Sequence, residues 1–101
     1  MTKTAMVGTM SCVPGKSAEF EAALSAMVEA AAFEPGVDIY SYHRGVDGTY
    51  WFFALMEDED AMQVHGQTTA MQSAMTAIGP LMAGPPQMNP VTPIAAIGFT
   101  V

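Results

Sequence analysis

The run from Tyr50 to Met56, with the sequence YWFFALM, constrains the fold more than any other stretch of this chain. It is short and rich in aromatic side chains, which favours a β-strand over a helix. Side chains alternate along a strand, so Tyr50, Phe52, Ala54 and Met56 would point to one face, and neither face suits water. Because a chain of 101 residues has little else to cover the second face, we expect another copy of the chain to cover it.

The composition predicts one compact domain that binds neither nucleic acid nor membranes. A chain of 101 residues of which 50% are hydrophobic has the usual size and content of a single domain, spanning residues 1–101. Ten acidic residues against three basic ones give a net charge of −7, which repels phosphate backbones and anionic membrane surfaces. A single cysteine, Cys12, and the absence of a signal-peptide pattern predict a cytoplasmic protein without a disulfide framework.

The remaining patterns predict four strands and two helices. Strands are expected over residues 5–13, 37–45, 50–56 and 91–101, with Pro93 placing the start of the last one at a sheet edge. Helical spacing predicts one helix from Ser17 towards Pro35. A second begins after Asp58, is interrupted at Gly66 and resumes at Thr69.

Residues 81–90 are rich in proline and are expected to form an irregular loop, whose length suggests a lid or a subunit contact. The resulting order, βαββαβ with a central hairpin, is typical of the ferredoxin-like α+β fold. In that fold a four-stranded antiparallel sheet carries its helices on one face.

Three local patterns together resemble a known family. Pro14-Gly15-Lys16 precedes the first helix, and Pro35-Gly36 opens a strand that contains Tyr40 and His43-Arg44. Asp58 to Asp60 and Ala61-x-x-x-His65 follow the aromatic strand. From about residue 6 to about residue 85 the chain is similar to the antibiotic biosynthesis monooxygenase family. The resemblance implies a dimeric α+β barrel, in which the sheets of two protomers pack face to face.

The sequence also departs from that family. Many members carry Glu-x-Trp at the end of the third strand, where this chain has Ala54 and Met56. Haem-degrading relatives hold a histidine in the second helix near the position of Met75, and their tryptophan lies on the face opposite to Trp51, so haem degradation is disfavoured.

The two histidines are the candidate catalytic residues. Oxidation by O2 without a cofactor needs a base that converts the substrate into an electron-rich anion, and a dry pocket. A neutral imidazole is the most suitable base near pH 7. His65 lies where the family keeps its histidine and His43 lies on a strand, although either one can equally be a structural or surface residue.

The candidate substrate-binding residues are aromatic and apolar side chains on the second and third strands and the second helix, which are expected to enclose a pocket between sheet and helices. They are Tyr40, Tyr42, Trp51, Phe52, Ala54, Met56, Met71 and Met75. The alternative is that these side chains belong to the hydrophobic core and bind no ligand.

No cofactor is expected, because the sequence holds no metal-ligand spacing and no glycine-rich phosphate loop. The leading hypothesis is a small cofactor-independent monooxygenase that oxidises a quinol or a polyphenolic, polyketide-type ring with O2. The alternatives are a non-catalytic ligand-binding protein or an isomerase or cyclase on the same dimeric barrel.

Overall fold

A computed structural model describes residues 2–101 and shows one antiparallel sheet with helices on one side. The strands run in the order β2-β3-β1-β4, and all neighbours are antiparallel. This is the ferredoxin-like α+β fold that the sequence predicts. In chain order the elements are β1 (Thr4–Met10), α1 (Ser17–Ala31), β2 (Val37–Arg44), β3 (Tyr50–Met56), α2 (Glu59–His65), α3 (Thr69–Ile78), a 3-10 turn (Gly79–Leu81) and β4 (Gln87–Val91).

We call the face of the sheet that packs against the helices the inner face. The alternation of side chains along β3 identifies the residues that lie on it. Phe52 lies opposite Gly8 of β1 and Tyr42 of β2, while Ala54 lies opposite Met6 and Tyr40. Directly paired residues point to the same side of a sheet, so these side chains share the inner face. The core on this side consists of Met10, Phe20, Leu24, Met27, Ala31, Tyr50, Phe52, Met71 and Ile78.

The opposite, outer face of β3 is only partly covered. Leu55 is buried and Phe53 is half-buried, but Trp51 is 49% exposed. His43, its partner on β2, is also exposed. The bare part of the outer face is therefore centred on Trp51 rather than spread along the whole strand.

The last strand differs from the sequence prediction. β4 is Gln87–Val91, so that all but its last residue lie in the segment 81–90 expected to be an irregular loop, and residues 92–101 lie outside the regular elements. β4 is an edge strand that pairs only with β1, so Pro90 is tolerated although it has no N–H to donate. All five of its side chains are exposed. Its sequence, QMNPV, is short and contains a proline, so it looks like part of the proline-rich loop.

The first residues of α2 and α3 agree with the sequence prediction more closely than β4 does. The side chain of Asp58 accepts a hydrogen bond from the backbone N–H of Ala61 at 2.8 Å and begins α2, as predicted. Thr68, not Thr69, begins α3 by accepting from the N–H of Met71 at 3.1 Å. Within residues 2–101 no helix is long and apolar enough to cross a membrane.

Gly8 makes room for the ring of Phe52. A Cβ atom at this position would lie 2.6 Å from Cε1 of Phe52 and would overlap the carbonyl oxygen of Gln87. We expect Gly8→Ala to lower the free energy of unfolding by about 1–3 kcal/mol, because the ring and β4 must shift. Urea denaturation measures the change. Gly84→Ala is the control, since a Cβ there meets nothing within 4 Å among the described residues, and equal losses for the two variants would contradict the account.

Candidate active site

A partly enclosed cavity of about 260 Å³ lies between the inner face of the sheet and the helices. Its walls are mostly apolar, and eight of its sixteen lining residues are methionines. Methionine is flexible and polarisable, so these walls can adjust to the shape of a flat ligand. The lining residues are Met6, Met10, Met27, Tyr40, Tyr42, Phe52, Ala54, Met62, His65, Gly66, Met71, Met75, Ile78, Met82, Pro86 and Met88.

Two tyrosine hydroxyls form a polar spot in this cavity. Tyr40 and Tyr42 are two residues apart on β2, so both point to the inner face, and their oxygens are 2.6 Å apart. Burial raises the pKa of both phenols, and the neighbouring Tyr42 raises that of Tyr40 further. Both side chains therefore stay protonated near neutral pH. One hydroxyl donates to the other, which leaves the pair with one O–H for Met27 or for a ligand.

His65 adds an imidazole next to this pair. The rings of His65 and Tyr40 pack edge to face, with centroids 4.9 Å apart and planes at 83°. Nδ1 of His65 lies 3.0 Å from Oε2 of Glu34, and the two side chains are 12% and 10% exposed. No hydrogen-bond partner of Nε2 is observed within residues 2–101.

The structure brings most of the predicted site residues together. Seven line the cavity: Tyr40, Tyr42, Phe52, Ala54, His65, Met71 and Met75.

Three predicted residues lie elsewhere. Trp51 and His43 are on the outer face, because they alternate with Phe52 and Tyr42 along their strands. Met56 is fully buried but does not line the cavity. His43 is exposed, and its Nε2 lies 2.9 Å from Oγ of Ser41.

A larger concavity of about 760 Å³ lies between α1 and the ends of β2 and β3, but it is open to solvent. Arg44 donates to both carboxylate oxygens of Glu21 at 2.6 Å, and the hydroxyl of Tyr50 donates to one of them at 2.7 Å. These hydrogen bonds, that of Arg44 first, lower the pKa of the Glu21 carboxyl to about 2. Because Arg44 and Glu21 are already paired with each other and the groove is open, it is less suited to a ligand than the smaller, more enclosed cavity.

Sequence reasoning missed Glu34 and six of the methionines. The only signal for Glu34 was its place directly before Pro35-Gly36, and for the methionines it was their abundance, ten in the chain. Among residues 2–101, no group of three or more His, Cys, Asp or Glu side chains is arranged to hold a metal ion. The missed methionines are Met6, Met10, Met27, Met62, Met82 and Met88.

Comparison with known proteins agrees with the fold and the sequence patterns. A family model described as antibiotic biosynthesis monooxygenase matches residues 4–77. A solved structure of a candidate antibiotic biosynthesis monooxygenase from Caulobacter crescentus is 33% identical, with a TM-score of 0.82 over 93% of this chain and 92% of that one. Among curated proteins, none matches the sequence significantly.

Two more distant structures share the fold. A protein of unknown function from Nitrosomonas europaea is 24% identical, with a TM-score of 0.85 over 100% of this chain and 98% of that one. A variant of SnoaB, a cofactor-independent oxygenase from Streptomyces nogalater, is 20% identical, with a TM-score of 0.85 over 98% of this chain and 100% of that one.

Proposed function

This chain belongs to the antibiotic biosynthesis monooxygenase family, and we propose that it is a small cofactor-independent monooxygenase that oxidises a quinol or a polyphenolic ring with O2. One observation carries the proposal. His65 lines a mostly apolar cavity together with Tyr40 and Tyr42, whose hydroxyls are hydrogen-bonded to each other, and its ring packs on that of Tyr40. A base, a hydrogen-bond donor and dry walls are what deprotonation of a phenol requires.

The chemistry starts with the transfer of a phenolic proton to Nε2 of His65. The tyrosine pair donates its free O–H to an oxygen of the ring and keeps the substrate oriented. The resulting phenolate is electron-rich, and one of its ring carbons that carries a hydrogen forms a bond to O2. The peroxide anion takes the proton back from His65 and becomes a hydroperoxide. Loss of that C–H proton together with the distal OH as water breaks the O–O bond and leaves a carbonyl, so that one phenol and one O2 give one quinone and one water. The substrate itself supplies the electrons.

An oxygen electrode tests the proposal with a panel of naphthols and dihydroquinones in metal-free and flavin-free buffer. We expect O2 uptake proportional to protein concentration and well above the rate of autoxidation for at least one ring that binds. Rings that bind the cavity without any protein-dependent O2 uptake would contradict it.

Binding without oxidation would favour the second candidate, a ligand-binding protein, or an isomerase or cyclase on the same scaffold. The observation that favours this second candidate is Ala54. It lines the cavity with a methyl group at a position where many members of the family carry a glutamate. The change makes the cavity larger and less polar. It does not alter His65 or the tyrosine pair.

We also propose that the protein is a homodimer that buries the outer face of the sheet. The support is Trp51, a large aromatic residue that is 49% exposed on a strand with an otherwise buried or half-buried outer face. The interfaces of obligate homodimers typically bury roughly 2,000 Å² or more of accessible surface.

Trp51→Asp should therefore convert the dimer into monomers, because it places a charge at the centre of the proposed interface. Sedimentation velocity at micromolar concentration measures the oligomeric state. Val46→Asp is the matched control, since Val46 is fully exposed in the turn between β2 and β3 and should leave the dimer intact. A wild-type protein that is folded and monomeric at this concentration would contradict the proposed homodimer.

A further inference from the structure

We infer that Glu34 is a positioning residue that fixes the tautomer and the orientation of His65. Its effect on catalysis rests on the function proposed above, but its effect on the imidazole does not. The contact lies just outside the residues that line the cavity, so Glu34 acts on a substrate only through His65.

The hydrogen bond defines the tautomer. An ionised carboxylate can only accept, so the 3.0 Å contact between Oε2 of Glu34 and Nδ1 of His65 requires the proton to be on Nδ1. A neutral imidazole has only one N–H, so Nε2 then carries the lone pair that accepts a proton from a substrate. Without Glu34 the ring would be free to rotate and to place its proton on Nε2, where it would block the base.

The environment of Glu34 supports a role other than stabilisation. Its side chain is nine-tenths buried, and Oε1 has no hydrogen-bond partner among the described residues. A buried carboxylate oxygen without a partner disfavours folding. The contact with His65 is the one hydrogen bond of this carboxylate among the described residues.

A close backbone contact keeps the two side chains at this distance. Gly36, two residues after Glu34, has φ +84°, and its carbonyl accepts a hydrogen bond from the N–H of Glu57 at 2.7 Å. A Cβ at Gly36 would lie 2.7 Å from Cβ of Ala61, one helical turn before His65. The turn at Pro35-Gly36 thus packs directly on α2. This packing brings the Pro35-Gly36 and Ala61-x-x-x-His65 patterns into contact in the fold.

The ring ¹⁵N resonances of His65 in the ligand-free protein test the inference without any substrate. We expect Nδ1 to carry the proton and Nε2 to have the shift of an unprotonated nitrogen in the wild type. Glu34→Ala should move the ring towards the Nε2–H form, and Gly36→Ala should do so as well, because it pushes α2 away from the turn. Glu29→Ala, an exposed glutamate on α1, is the control and should leave the spectrum unchanged.

Kinetics give the second readout. If the protein oxidises a phenol, Glu34→Ala should lower kcat by about 10- to 1,000-fold and leave KM nearly unchanged, because the substrate does not touch Glu34. A wild-type His65 that is protonated on Nε2, or a Glu34→Ala variant with the wild-type tautomer, would overturn the inference. The predicted tautomer in a protein that oxidises none of the rings would leave the positioning role intact and remove only the proposed function.

Discussion

His65→Asn should lower the turnover of a phenol at pH 7 by about 10²- to 10⁴-fold, because it removes the base that takes the phenolic proton. Asparagine is preferable to alanine for this test. Its amide nitrogen occupies the place of Nδ1 and can still donate to Glu34, so the buried carboxylate does not lose its only partner. The melting temperature should therefore change little.

The pH dependence of the same variant identifies the step that is lost. At pH values above the pKa of the free phenol the substrate ionises without help, so part of the rate should return. His43→Asn is the matched control, since His43 is exposed on the outer face, and it should oxidise the substrate at the wild-type rate. A His65→Asn variant with wild-type turnover at pH 7 would remove His65 from the mechanism.

Ala54→Trp should abolish ligand binding by filling the cavity. Ala54 is 3% exposed and lies on the inner face opposite Met6 and Tyr40, so an indole there has only the cavity to enter. We expect the affinity for a naphthoquinone probe, measured by calorimetry, to fall by about 100-fold or more. The flexible methionines can absorb part of the strain, which should keep the loss of stability within about 1–3 kcal/mol.

The control for this variant is Ala18→Trp, which adds the same indole at an exposed position of α1. Both variants should keep the circular dichroism spectrum of the wild type. If a folded Ala54→Trp protein binds the probe as tightly as the control, the ligand site lies outside the cavity.

The parts of the site that the sequence could predict are those set by the period of a single element. Alternation along the aromatic strand placed Phe52 and Ala54 on one face and Trp51 on the other. Helical spacing placed Met71 and Met75 on one side of α3, where both line the cavity. These relations depend only on neighbours in the sequence.

The parts of the site that could not be predicted from the sequence depend on contacts between distant segments of the chain. Glu34 and His65 are 31 residues apart, and they meet because Gly36 lets the turn pack against α2. The prediction of β4 was wrong for a different reason. As an exposed edge strand it does not need a full set of N–H donors and tolerates Pro90, so its residues look like those of a loop.

The central claim is that one atom of O2 enters a ring held in this cavity without a cofactor. Mass spectrometry of the product formed under ¹⁸O2 tests it most directly, with a naphthol as substrate and protein stripped of metals and flavin. We predict that the quinone gains one ¹⁸O atom in the wild type, and that formation of labelled product falls in His65→Asn and Ala54→Trp but not in His43→Asn. A product with oxygen from water only, or labelled product formed equally fast without protein, would contradict the account.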